Sequence, residues 1–302
     1  MSSFKRLVTT CFFILIGSLS HLEAGGPLKI VTITADFSSI VKSVGGQHVA
    51  VKSLIEGSFN MHDITPKPSM VIALRNADLI IRLGMKQDSW IDSLIDISNN
   101  AKLFSDKPGH LDASKAISAL EVPTGNIDSA LGDIHIDGNP HYWLNPENGI
   151  LIAKMIAVRL GELDPTNKMS YEANYKIFKQ KLETKIQVWK QKMQPLKYKP
   201  VIAYHKTWSY FFDAFSLKSV GYLEPLPGIR PSAKHIKMLK QRYKKKSKGI
   251  IITALYYPKK PGEIFAKQNQ SPFYHLPTNV GSKGITSYEA LFDYLVDSLT
   301  KP

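Results

Sequence analysis

The sequence predicts an α/β protein built as two βα lobes joined by one long, rigid helix. Three observations carry this. Short β-rich runs alternate with helical runs, the pattern of parallel βα units. The alternation is interrupted once, by Tyr171, Tyr175, Phe178, Leu182, Ile186, Trp189 and Met193, which recur at helical spacing as one apolar stripe. The chain of 302 residues is too long for one typical small core, which suggests two domains.

The first 24 residues read as a signal peptide. Lys5 and Arg6 precede an apolar run over 7–19, and the small residue Ala24 suits cleavage. That run is shorter than the roughly 20 residues a membrane span needs. Cys11, the only cysteine, lies inside it, well before the cleavage point. A lipid-modified N-terminus is therefore not expected, and the mature chain has no disulfide, thiolate ligand or cysteine nucleophile. An exported protein without disulfides points to a bacterial periplasm.

Residue 28 opens a buried strand over 28–34, followed by a helix over 37–44 and a strand over 49–55. Then come a short helix over 68–76, a strand over 78–83 and a helix over 87–98. A polar loop fills 123–140, and a helix follows over 147–163. Asp164-Pro165-Thr166-Asn167 is a stop-and-restart signal. The striped helix beyond it runs for roughly 26 residues, or ~40 Å at 1.5 Å per residue, and Pro195 ends it. Strands over 200–204, 219–223, 249–254 and 274–276 alternate with helices over 208–215, 232–246 and 261–268, and a helix over 287–299 closes the chain. The expected division is 1–24 signal peptide, 25–163 first lobe, 164–196 linking helix and 197–302 second lobe.

The net charge of +14 raises nucleic acid or an anionic membrane as a partner. Helix-turn-helix, RNA-binding and finger signatures are all absent, and the densest cluster, Lys244-Lys245-Lys246, is three residues long. No nucleic-acid role is expected, and the lysines read as solvated helix faces.

Three histidines carry the chemistry. His141 lies in Pro140-His141-Tyr142-Trp143-Leu144-Asn145-Pro146, a turn braced by two prolines. His62 follows a strand and precedes a helix, and His205 stands where a strand ends and a helix begins. Ligands in open α/β sheets bind at such carboxyl ends. Neutral imidazoles suit zinc, and three of them leave a fourth position for a carboxylate or water. No short motif such as His-Glu-x-x-His links them.

The motifs resemble the ZnuA/TroA-like family of zinc and manganese solute receptors of ABC importers. His62-Asp63-Ile64-Thr65-Pro66-Lys67-Pro68-Ser69 resembles that family's His-x-x-x-Pro-x-Pro-Ser, and Pro140 to Pro146 its Pro-His-x-Trp-Leu-Asp-Pro. Further matches are Ala77-Asp78-Leu79 with Gly84 and Trp90, then Asp164-Pro165, Tyr171 and Asn174, His205 with Phe211, and Pro227-Gly228 with Pro231-Ser232. The resemblance spans nearly all of the mature chain. It implies two Rossmann-like lobes on a rigid helix, with a metal cleft between them and only limited lobe movement. It assigns His62, His141 and His205 as ligands. Histidine at the third position resembles zinc-type receptors, whereas manganese-type members often place glutamate there. The implied cargo is Zn2+, with Mn2+ or Fe2+ as alternatives. The implied partners are an inner-membrane permease and its cytoplasmic ATPase, the receptor itself being a monomer and not an enzyme.

Two departures stand out. Asn145 replaces a usual aspartate. Thr278 and Asn279 fall where many members carry a late aspartate ligand, so water or a weak oxygen from this loop is the expected fourth ligand. The loop before His141 offers His135, with Asp133 and Asp137, as an accessory capture residue, although a solvated loop histidine is the plainer reading. His48, His110, His235 and His275 read as surface or packing residues. A zinc hydrolase with Asp63 as base, or an adhesin, are the alternatives from other classes.

Overall fold

The computed structural model describes residues 26–124, 135–226, 228–244 and 249–301. The expected signal segment, Asp133, Pro227, Lys245 and Lys246 lie outside the described residues. Two four-stranded parallel sheets organise the chain. The first contains β1 (Leu28–Thr34), β2 (Val49–Ile55), β3 (Leu79–Arg82) and β4 (His110–Asp112) in the order β2-β1-β3-β4. The second contains β5 (Pro200–Ala203), β6 (Lys218–Tyr222), β7 (Ile250–Ala254) and β8 (Phe273–Leu276) in the order β6-β5-β7-β8. Both orders reverse direction beside the strand that comes first in the chain, which places a crevice at the carboxyl ends of β1 and β5.

The strands follow from their side chains. β7 is buried along its whole length, as a central parallel strand covered on both faces should be. Edge strand β2 alternates between half-buried and exposed positions over its first five residues and ends on buried Ile55. Helices begin where the sequence offers a cap. Asn145 caps α4 (Pro146–Leu163) by accepting from the Glu147 amide at 2.9 Å, with Pro146 in the first turn. This is what an asparagine does where aspartate was the pattern. Ser287 caps α9 (Tyr288–Thr300) through the Ala290 amide.

The strut is α5 (Lys168–Met193), 26 residues long, with Tyr171, Phe178, Leu182, Ile186, Trp189 and Met193 buried along the anticipated stripe. It packs on α4, on α1 (Ala35–Gly45) and on α9. The last helix therefore lies along the strut rather than only within the second lobe. The Trp189 ring packs tilted against Phe292, 5.2 Å between centroids, and its Nε1 donates to Asp293, while the Tyr288 amide donates to Ser39 Oγ of α1. Tyr288 Oη donates to the Trp143 carbonyl at 2.6 Å. One hydrophobic cluster runs from β1 and β3 through α5 to Val201, Ala203, Ile250 and Ile252 of the second sheet. The lobes share a core, so a wide hinge opening would expose apolar surface at about 25 cal/mol per Å².

Two elements differ from expectation. The helix expected from residue 87 starts at Trp90, as α3 (Trp90–Ser98), because Met85 and Lys86 sit at positive φ and Asp88 is spent on the Leu83 amide and Arg82. β4 was not anticipated. Three residues cannot display a periodicity, and its pairing with β3 requires Gly109, where a Cβ would sit 2.4 Å from the Lys102 carbonyl oxygen.

Candidate metal centre

The loop between β2 and α2 (Pro68–Arg75) carries His62. Asn60 organises this loop, accepting from the His62 amide at 3.2 Å and donating to Asp63 Oδ2 at 2.6 Å. Gln87, in the turn after β3, donates to the Met61 carbonyl and ties the two loops together. His141 sits before the 3-10 turn Tyr142–Leu144. Its amide donates to Asn139 Oδ1 at 3.0 Å, Tyr142 Oη donates to the Leu83 carbonyl at 2.6 Å, and Trp143 Nε1 donates to the Thr278 carbonyl at 2.8 Å. The aromatic run is thus a set of anchors, one of which reaches into the second lobe. His205 directly follows Tyr204 at the end of β5 and is 5% exposed.

These three rings converge. Their centroids lie 6.0 Å (His62–His141), 5.4 Å (His62–His205) and 5.8 Å (His141–His205) apart. One nitrogen from each comes within 4.8 Å of the others. His141 is 1% exposed, and neither of its ring nitrogens has a hydrogen-bond partner among the described residues. An orphaned buried polar atom costs about 1–3 kcal/mol, and this ring carries two. Burial, followed by the neighbouring His205, His62 and His135, holds His141 well below the ordinary imidazole value of 6.5. It is therefore a neutral imidazole at pH 7.

Sequence reasoning missed Glu224. It follows β6, the strand next to β5, and is 6% exposed. Its Oε2 lies 2.9 Å from His205 Nδ1, and its Oε1 accepts from the Gly228 amide. This contact fixes His205 with the proton on Nδ1 and the lone pair on Nε2. The available signal was an acidic residue just past a strand end, in a half of the chain dominated by lysine.

The remaining candidates separate. The His135 ring centroid lies 5.1 Å from that of His62, and the ring is half-buried rather than solvated. Thr278 and Asn279 are buried but committed elsewhere: Thr278 Oγ1 donates to Asn279 Oδ1 at 2.7 Å, and Asn279 Nδ2 donates to Asp36 Oδ2 at 2.9 Å. Asp36, buried at the start of α1, also accepts from the Val280 amide, so this loop latches one lobe to the other. Burial lifts the Asp36 carboxyl to about 6 against these hydrogen bonds. Among the other histidines, His110, His235 and His275 bond backbone carbonyls, and His48 packs edge-on against Tyr171.

A cleft of about 390 Å³ leads to the cluster, lined by His62, Asp63, Tyr204, His205, Glu224, Arg230 and Tyr257, among others. Burial keeps the Tyr204 and Tyr257 phenols protonated far above pH 7, so neither supplies an anionic oxygen. The centre offers imidazole nitrogens backed by one buried carboxylate.

Comparison with known proteins agrees with this geometry. The profile of the family described as "ZnuA: Zinc-uptake complex component A periplasmic" matches residues 30–301. The high-affinity zinc uptake system protein ZnuA of Brucella abortus is 26% identical over 264 residues, covering 75% of each chain. The metal ABC transporter substrate-binding lipoprotein ScbA of Streptococcus cristatus is 26% identical, covering 93% of this chain and 91% of its own. A crystal structure of a ZnuA shares the fold with a TM-score of 0.75 at 23% identity, over 91% of this chain and 98% of that one. The chain belongs to the ZnuA family, the non-enzymatic, extracytoplasmic metal-binding receptors of ABC uptake systems that work with a membrane permease and its ATPase.

Proposed function

We propose that this receptor captures zinc in the periplasm, as a soluble monomer freed from its signal peptide, and delivers it to the permease. His62, His141 and His205 are the ligands. The observation that carries this reading is His141, a fully buried neutral imidazole whose two nitrogens have no hydrogen-bond partner among the described residues and whose neighbours are two more imidazoles. Such a ring destabilises the free protein and is compensated when it ligates a cation. An all-nitrogen set favours zinc over manganese, which prefers carboxylate oxygens. The names of relatives point the same way: zinc uptake in Brucella and zinc binding in the AdcA lipoprotein of Streptococcus pneumoniae.

In this mechanism His141 binds as the neutral imidazole, Glu224 aims His205, and water or His135 completes the shell. Because the lobes share a core, release follows a small displacement of one lobe's ligand from the other's two rather than a wide opening. The test is metal content and competition on purified apoprotein, alongside His205→Ala. Zinc should outcompete manganese, and the variant should lose stoichiometric zinc. Tighter manganese binding, or full zinc occupancy in the variant, would falsify the assignment.

A further inference from the structure

The positive charge of this chain is not spread evenly. Residues 233–269 contain eleven lysines and arginines against one acid, Glu263. The rest of the chain holds 28 against 24 and is nearly balanced. This segment includes α7 (Ala233–Lys244) and α8 (Lys259–Gln268), which cover the same face of the second sheet. Leu239 and Tyr243 of α7 share a buried cluster with Phe265 and Ala266 of α8, and the Tyr243 and Phe265 rings meet at 5.8 Å. On the outside, Lys234, Lys237, Arg242, Lys259, Lys260 and Lys267 are exposed.

Ion pairing separates this face from the strut. On the strut, five of the seven lysines, Lys179, Lys181, Lys185, Lys190 and Lys192, each lie within 4.0 Å of a carboxylate. Among the described residues, only Lys259 of the six exposed cations of α7 and α8 does, through Glu263 at 2.6 Å. Met238 and Ile264 stand exposed among them, at 44% and 47%. Cations spread along two helices do not converge on one small anion. Interleaved with apolar side chains, they suit a broad anionic surface whose interfacial zone also accepts hydrocarbon.

We propose that the α7–α8 face docks on anionic lipid headgroups of the membrane that holds the permease, keeping the receptor close to its importer. This rests on the extracytoplasmic placement of the family and not on which metal is bound. An extracytoplasmic receptor meets a charged bilayer at its permease and no nucleic acid there. Each lysine or arginine near such a surface is worth a factor of about five in partitioning.

The experiment is vesicle sedimentation of the protein beginning at Gly25, at ~0.15 M ionic strength. Vesicles containing phosphatidylglycerol are compared with pure phosphatidylcholine. Three proteins are measured: wild type; Lys237→Glu, Lys260→Glu, Lys267→Glu; and Lys42→Glu, Lys176→Glu, Lys197→Glu, which has the same net charge but other locations. Wild type and the scattered variant should bind phosphatidylglycerol vesicles and ignore phosphatidylcholine. The α7–α8 variant should lose about a hundredfold in partitioning. All three should retain equal zinc affinity, so failure here is distinct from failure of the metal assignment. The proposal is overturned by absent vesicle binding, by equal loss in both triple variants, or by binding to duplex DNA or heparin without binding to vesicles.

Discussion

Glu224→Gln isolates what the carboxylate beside His205 contributes to metal binding. The carboxylate accepts two hydrogen bonds, from His205 Nδ1 and from the Gly228 amide, with 6% exposure and so little solvent to compensate a loss. Glutamine keeps the shape but has one acceptor oxygen. Whichever donor it serves, its own amide group faces the other donor. One charge-assisted bond, worth about 1.5–3 kcal/mol, is lost. If part of that sum is felt when His205 binds zinc, the affinity falls by about 10- to 100-fold, the range found for groups that orient a metal-bound histidine. Competition of apoprotein against a zinc chelator at pH 7 reads this directly, with His205→Ala as the reference for complete loss of the ligand. The apoprotein melting temperature separates orientation from folding. Affinity within twofold of wild type would refute the orienting role. So would a loss as large as that of His205→Ala accompanied by a collapsed melting temperature, since Glu224 would then be a structural residue.

His141→Leu should abolish tight zinc binding while leaving the apoprotein's melting temperature at or above that of wild type, because it removes two orphaned nitrogens at about 1–3 kcal/mol each; calorimetry showing a marked fall would contradict this. Gly149→Ala should destabilise by about 1–3 kcal/mol, since the new methyl meets the Tyr288 ring at 2.3 Å and pushes α9 off α4; an unchanged urea midpoint would rule out that tight contact. For pH, His141 has a folded value below its unfolded 6.5, so its titration costs the apoprotein nothing above 6.5 and destabilises it increasingly as pH falls from 6.5 toward the folded value. His141→Leu should therefore flatten the stability curve below pH 6.5, and parallel curves would count against it. Asp36 has the opposite sign: its folded value of about 6 exceeds 3.8, so its ionisation penalises the fold above pH 6 and the penalty is relieved as pH falls toward 3.8. Asp36→Ala should still destabilise at pH 7, because the buried Asn279 and Val280 donors lose their acceptor, and equal or higher stability in urea would show that the latch contributes nothing.

Much of the fold was legible because it is written in local pattern. The α5 stripe, the β1 and β2 runs and the Asn145-Pro146 start of α4 are decided by neighbours within a few residues. The candidate ligands were legible as types in context: His62 and His205 at strand ends, and His141 between prolines. The fourth position was not. Thr278 and Asn279 have the right place in the chain, but Asp36, more than 240 residues earlier, takes Asn279 as its own partner. His135 has an unremarkable sequence context, yet its ring stands beside His62.

By itself the sequence determined two βα halves, the strut between them and three histidines able to hold a cation, because hydrophobic period and turn chemistry act over short stretches of chain. Only the tertiary structure decided that those histidines meet, that Glu224 aims one of them, that α9 returns to brace the first lobe and that the basic residues of α7 and α8 share one outer face. Each of these depends on contacts between residues far apart in sequence. Sheet order and helix packing bring them together, and no local pattern records that.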